Sequence, residues 1–166
     1  EVDGEKVVDY EAAILRDTLP ESAVIIGGGA IGVEFATIWS AYGVRVTIVE
    51  MLDTLLPLED PAVGKEIEKA YKKRGIKVMT GSKVKGVKTN TKGTSVTVET
   101  GDGDEVIEAD LTLVAIGFKP NSQGLGLEDV GVRLSPRGHI EVDERMATNV
   151  EGIWAIGDVT GKLLLA

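Results

Sequence analysis

The chain of 166 residues carries 27 acidic against 18 basic side chains, a formal net charge of −9, and is 43% hydrophobic. That balance describes a globular chain and argues against a nucleic-acid partner, which needs a basic patch. With no cysteine and a single histidine, His139, these residues hold no disulfide, thiolate metal site, histidine metal cluster or Ser-His-Asp triad.

The length suits one well-buried core, or a domain with an appendage. No apolar run approaches the roughly 20 residues that span a bilayer, and no signal peptide is visible. No membrane association is expected, and a cytoplasmic location is. The chain begins at Glu1 without an initiator Met, as a piece of a longer protein would.

Residues 1–22 are polar and mixed. Asp9 is placed to cap a short helix running through Arg16 and closed by Pro20, a lead-in packed on the main sheet. Then comes Ala23-Val24-Ile25-Ile26-Gly27-Gly28-Gly29-Ala30-Ile31-Gly32, an apolar run that ends in glycines and opens into a helical pattern. Gly27, Gly29 and Gly32 fill the G-x-G-x-x-G spacing. The first allows the turn, the second lets a pyrophosphate reach the backbone, and the third packs helix on strand. Free amides and the positive dipole end at the helix start favour a bound anion.

The helix places Ile31, Phe35, Ile38 and Tyr42 at helical spacing and stops at Gly43. A second apolar strand, residues 44–49, ends at Glu50, close to the spacing of a carboxylate that accepts hydrogen bonds from an adenosine ribose. Asp60-Pro61 reads as an N-cap followed by proline at N1. The next helix has an apolar face of Val63, Ile67, Ala70 and Tyr71, and closes on Lys72-Lys73-Arg74 and Gly75. Residues 76–79 form a third strand, giving β-α-β-α-β, the mononucleotide-binding half of a doubly wound sheet.

From Ser82 the period changes to two. Val84 and Val87, Val96 and Val98, and Val106 and Ile107 lie in short runs separated by turn-forming sequences, which predicts an antiparallel meander in place of a crossover helix. Residues 111–116 form a buried strand returning to the main sheet. Past Gly117, Phe118-Lys119-Pro120-Asn121 and Gly124-Leu125-Gly126-Leu127 mark a boundary. Beyond it a turn at residues 135–138, a strand at 139–142 and a terminal run at 153–158 make a tail with little apolar mass of its own. The expected architecture is α/β: a Rossmann-like dinucleotide-binding sheet over residues 1–117, with a β-meander crossover, and a short β-rich tail over residues 118–166.

Four ordered motifs resemble the flavin-dependent pyridine nucleotide disulfide oxidoreductases, most closely the branch that oxidises dihydrolipoamide. They are residues 27–35, the strand ending Val46-Thr47-Ile48-Val49-Glu50, Val114-Ala115-Ile116-Gly117 followed by Pro120-Asn121, and Ile153-Trp154-Ala155-Ile156-Gly157-Asp158. The resemblance implies a dinucleotide-binding domain inserted into a flavin domain, with NAD bound here and FAD bound by the full-length parent. It implies that Gly27, Gly28, Gly29, Ala30, Ile31, Gly32, Val33 and Glu34 cradle the NAD pyrophosphate. Glu50 then holds the adenosine ribose, Val84 touches the adenine, and Gly117 lies near the nicotinamide end. Asp158 bonds the flavin ribityl or pyrophosphate region, and Leu164, Leu165 and Ala166 line the flavin. Glu34 stands where the family pairs an acid with a lysine beside the flavin.

The implied partners are the remainder of the parent flavoenzyme, itself a homodimer, and through it a lipoyl-bearing 2-oxoacid dehydrogenase complex. The family's flavin-binding glycine motif, redox-active cysteine pair and C-terminal His-Glu base are absent from these residues. This chain alone is therefore expected to be inactive. Ala30 stands where some relatives carry a tyrosine that gates the nicotinamide site. Val84 as a strand residue and Asp158 as a turn residue are the plain alternatives at those positions. For the whole chain, another flavoprotein disulfide reductase or NADH oxidase, or a stand-alone NAD sensor, stays open. A methyltransferase using S-adenosylmethionine is disfavoured by the third glycine, Gly32.

Overall fold

A computed structural model of the chain describes residues 2–162 and residue 164. Its contacts divide it into two compact units, Glu1–Ile116 and Gly117–Ala166. The first unit is built on a five-stranded parallel sheet. In chain order the elements are β1 (Val7–Val8), α1 (Tyr10–Ile14), β2 (Ser22–Ile26), α2 (Ala30–Ala41), β3 (Arg45–Val49), α3 (Pro61–Lys73) and β4 (Lys77–Met79). The meander β5 (Lys83–Thr89), β6 (Thr94–Thr100) and β7 (Gly103–Ala109) follows, and then β8 (Leu111–Val114). The sheet order is β1-β8-β2-β3-β4.

Period-two alternation divides the sheet residues between two cores. Ala23 and Ile25 of β2, Val46 and Ile48 of β3, and Leu111 and Leu113 of β8 are buried with Phe35, Ala36 and Trp39 of α2 and Tyr71 of α3. Val24 and Val49 pack instead with Val96 and Val98 of the meander. The sheet is thus covered by helices on one side and by the three-stranded meander on the other. The fully buried valine, leucine and isoleucine side chains among them contribute about 1.5–3 kcal/mol each relative to exposure. A hydrogen bond of 2.7 Å between the buried hydroxyls of Thr94 on β6 and Thr112 on β8 ties the meander to the sheet.

The caps follow from side-chain chemistry. Asp9 accepts from the amide of Ala12 at 2.9 Å, although the helix that it starts ends at Ile14, short of Arg16. Asp60 accepts from Ala62 at 2.8 Å with Pro61 in the first turn. The expected stripe on α2 is corrected. Ile38 and Tyr42 are exposed, and the buried face is Gly32, Val33, Phe35, Ala36 and Trp39. Both ladders contain Phe35; the side-chain-free contact at Gly32 rolls its own ladder onto the sheet. On α3, Val63 is likewise exposed and Gly64 is buried in its place, because Thr54 and the Leu55 carbonyl close over it. β1 carries no sequence signal, since two residues show no period. It exists through parallel pairing with β8, Val7 opposite Thr112.

The second unit has its own small core of Val132, Ile140 and Ala155, flanked by Leu127, Leu134, Val142, Val150, Ile153 and Val159, so it is less poor in apolar contacts than expected. The expected strand at residues 139–142 reduces to an isolated bridge of Leu134 to Ile140, and the terminal run to a bridge of Ala147 to Trp154. The ladder fails because successive amides choose different partners. Ile140 donates to the Val159 carbonyl at 2.9 Å and Glu141 to the Arg133 carbonyl at 3.0 Å. The Asp143 carboxylate meanwhile takes the amides of Arg145 and Ala147.

Candidate functional site

The strand order changes direction beside β2: the chain leaves β2 for β3 on one side, and β8 returns on the other. In an open parallel sheet the crevice beyond the carboxyl ends at such a switch point is where ligands bind. The glycine turn continues β2, Glu50 continues β3, and Ala115 and Ile116 continue β8.

Three of the glycines are explained by the chain's own packing. Gly27 has φ +110, and a Cβ there would lie 2.5 Å from the Ala115 carbonyl oxygen. A Cβ on Gly28 would lie 2.5 Å from a methyl of Leu55, and one on Gly32 only 2.0 Å from the Gly27 carbonyl oxygen. Gly29 differs: its backbone is extended, at φ −74 and ψ −173, and nothing in the protein lies within 4 Å of a Cβ added to it. Neither conformation nor internal contact demands glycine there. The space in front of it is open for a group that approaches the backbone closely.

The amides of the turn divide in the same way. Gly27 donates to the Val49 carbonyl at 2.9 Å and Val33 to the Gly29 carbonyl at 3.0 Å. Gly28 donates to Glu50 Oε2 at 2.6 Å. The amides of Ala30, Ile31 and Gly32, in the first turn of α2, have no carbonyl one turn back, and Gly29 supplies no capping side chain. They are the donors that the positive helix end presents to an anion.

Glu50 is buried, 8% exposed. Its Oε1 accepts from the Leu52 amide at 2.8 Å while Oε2 holds Gly28. Its own backbone is fixed by the Met79 carbonyl, to which it donates, and by the Ser82 amide, which donates to it. Val84, two residues beyond Ser82, is half-buried and packs with Val24, Val49, Val96 and Val98. Sequence reasoning did not single out Leu52, whose amide holds Glu50, or Leu55 and Leu56, which hold the turn from behind: Leu55 is fully buried against Gly28, and Leu56 donates to the Gly28 carbonyl at 2.8 Å. The signal was a leucine-rich run in a segment with no period, between Glu50 and the Asp60 cap.

Glu34 is exposed on α2, beside Val33, Thr37 and Ile38 of the same helix and Ile67 and Tyr71 of α3. Gly117, at φ +131, opens the second unit. Asp158 begins a 3-10 turn, Asp158–Thr160, and is half-buried; Leu164 is exposed. The flavin-lining positions Leu165 and Ala166 lie outside the described residues.

All residues 1–166 match the family model described as pyridine nucleotide-disulphide oxidoreductase. The chain belongs to this family. The dihydrolipoyl dehydrogenase of Mycobacterium leprae is 50% identical over 96% of the chain, which covers 34% of that relative. That of Corynebacterium glutamicum is 47% identical over 98% of the chain and 35% of the relative. Among solved structures, LpdA from Mycobacterium tuberculosis superimposes with a TM-score of 0.86 at 34% identity, over 98% of this chain and 35% of that one. The HOCl-induced flavoprotein disulfide reductase RclA from Escherichia coli gives 0.82 at 32% identity, over 96% and 36%. The chain thus spans about a third of the length of the relatives it matches. Among the described residues no helix is long and apolar enough to cross a membrane, and no three His, Cys, Asp or Glu side chains are grouped to hold a metal ion.

Proposed function

We propose that this chain is the NAD-binding portion, with part of the adjoining flavin-contacting region, of a dihydrolipoyl dehydrogenase. The observation that carries the reading is Gly29: a glycine that the fold does not require, facing open space at the switch point, next to unpaired helix-start amides. Those features fit a pyrophosphate. In this reading the phosphates lie over Gly29 and accept from Ala30, Ile31 and Gly32, while Gly27, Gly28 and Val33 shape the turn. Each Glu50 oxygen accepts one amide and keeps lone-pair capacity for an adenosine ribose hydroxyl. Val84 borders the adenine, Gly117 the nicotinamide end, and Glu34 an incoming lysine beside the flavin. Asp158, with Leu164, Leu165 and Ala166, meets the flavin.

When bound, NAD supplies the hydride-accepting carbon; the chain contributes orientation and electrostatics. The parent oxidises dihydrolipoyl groups, with electrons passing through a disulfide and FAD to NAD, and works in the cytoplasm as a homodimer serving a 2-oxoacid dehydrogenase complex. The likeness to RclA favours one second reading, a flavoprotein disulfide reductase acting on another substrate. The cysteine pair of the parent distinguishes the two.

The test is calorimetric titration of the chain with NAD and with NADP. A carboxylate at the ribose accepts from a 2′-hydroxyl and repels a 2′-phosphate, so NAD is expected to bind at least about tenfold more tightly, about 1.4 kcal/mol. Equal affinities would remove Glu50 from the ribose site, and absence of binding to either would remove the function.

A further inference from the structure

The glycine turn and the acid after β3 are usually assigned to separate parts of a dinucleotide, yet here the chain's own hydrogen bonds join them. Glu50 bridges two amides: Oε2 takes Gly28 at 2.6 Å and Oε1 takes Leu52 at 2.8 Å. The segment that Leu52 opens then returns to the same glycine. Leu55 fills the space that a Gly28 side chain would need, and Leu56 donates to the Gly28 carbonyl at 2.8 Å. Leu56 makes that bond with φ +50, a conformation that costs a non-glycine residue about 1–3 kcal/mol and persists only where its surroundings enforce it. Both hydrogen-bonding groups of Gly28 are therefore consumed by residues 50–56, and its neighbour Gly29 is left extended and open.

We propose that Glu50 is a positioning residue for the phosphate site: its carboxylate sets the glycine turn so that the amides of Ala30, Ile31 and Gly32 face the ligand. This rests on the reading of the turn as a nucleotide site and goes beyond it. Ribose recognition and phosphate recognition share one side chain, and disturbing Glu50 disturbs both.

Charge and geometry make opposite predictions, which permits a clean test. A carboxylate near a pyrophosphate repels it, so on charge alone Glu50→Gln strengthens phosphate binding. As a bridge between two donors, however, a glutamine fails, because it offers one acceptor oxygen and turns an NH2 toward the other amide. A buried amide left without its acceptor loses its place, and the turn with it.

The experiment compares two probes on the full chain: NAD, and its analogue carrying 2′,3′-dideoxyadenosine, which has no hydroxyl there for Glu50 to hold. Glu50→Gln is expected to weaken the dideoxy analogue by about tenfold, the effect of one lost charge-assisted hydrogen bond. In the nucleotide-free protein, amide exchange at Gly28 and Leu52 is expected to accelerate by a similar factor. Glu50→Asp keeps the charge but withdraws the carboxylate by one methylene; it is expected to show the same two effects, and it serves if the glutamine variant does not fold.

Unchanged or tighter binding of the analogue, with unchanged exchange at Gly28, would overturn the proposal and leave Glu50 as a ribose contact alone. If the wild-type chain binds neither probe, the nucleotide reading falls. The exchange measurement then still decides whether Glu50 holds the turn.

Discussion

At Gly29 and Gly32 the same residue type is present for opposite reasons, and single substitutions separate them. Gly29→Val introduces a branched side chain into open space on an extended backbone. The fold is therefore expected to survive with a loss of only about 1 kcal/mol, because valine is a poorer N-cap than glycine, while NAD affinity falls at least about a hundredfold, close to 2.7 kcal/mol. Gly32→Ala puts a methyl 2.0 Å from the Gly27 carbonyl oxygen, a backbone atom that cannot turn aside. Overpacking of that kind costs about 3 kcal/mol or more. Thermal melts followed by circular dichroism, with titration of whatever remains folded, check both. A Gly29→Val that loses more stability than Gly32→Ala, or an unaffected Gly32→Ala, would reverse the assignment of roles within the turn.

Among the elements, α2 and α3 are joined by one buried phenol. The Tyr71 hydroxyl donates to the Val33 carbonyl at 2.5 Å and lies 2.8 Å from the Thr37 hydroxyl, linking the helix after the glycine turn to the helix behind it. Tyr71→Phe keeps the ring in the core and removes these bonds, so a loss of about 1 kcal/mol is expected near pH 8. Burial pushes the Tyr71 phenol above its ordinary value of 10.0, against a smaller opposing effect of the Thr37 hydrogen bond. As pH rises past 10 the unfolded chain gives up this proton first. It then binds fewer protons than the fold, and stability falls with pH. Urea unfolding is therefore expected to show the wild type losing its advantage over Tyr71→Phe above pH 10. A gap constant from pH 8 to 11 would show that the phenol ionises alike in both states.

For the molecule as a whole, the two units differ in what they can do unaided. The first contains both large core clusters and the whole switch-point crevice. Among its described residues the second has a core of three buried apolar side chains and leaves Trp154 and Ile156 mostly exposed. Asp158 can offer a flavin a charge-assisted hydrogen bond, about 1.5–3 kcal/mol, while a tightly held cofactor needs most of its surface enclosed. The chain is therefore expected to purify colourless and to show no diaphorase activity when FAD is added. Absorbance at flavin wavelengths and a dye-reduction assay with NADH decide this. A yellow, active protein would mean that these 166 residues form a complete flavoenzyme.

The signals legible along the chain are local and periodic. Glycines at fixed spacing after an apolar run, Asp60 before Pro61 and the change of period at Ser82 each act within a few residues, so the glycine turn, the α3 cap and the meander could be read in advance. The tertiary structure decided what depends on contact across the chain. It chose the Gly32 ladder over the Ile38 ladder as the buried face of α2, because close approach at one glycine outweighs a side chain that can turn to solvent. It made Val7–Val8 a strand only by giving it β8 as a partner. It also joined Glu50 to Gly28, 22 positions apart, and set a leucine-rich loop behind both. No spacing rule encodes that arrangement, because a buried carboxylate takes whichever amides the folded backbone brings within reach.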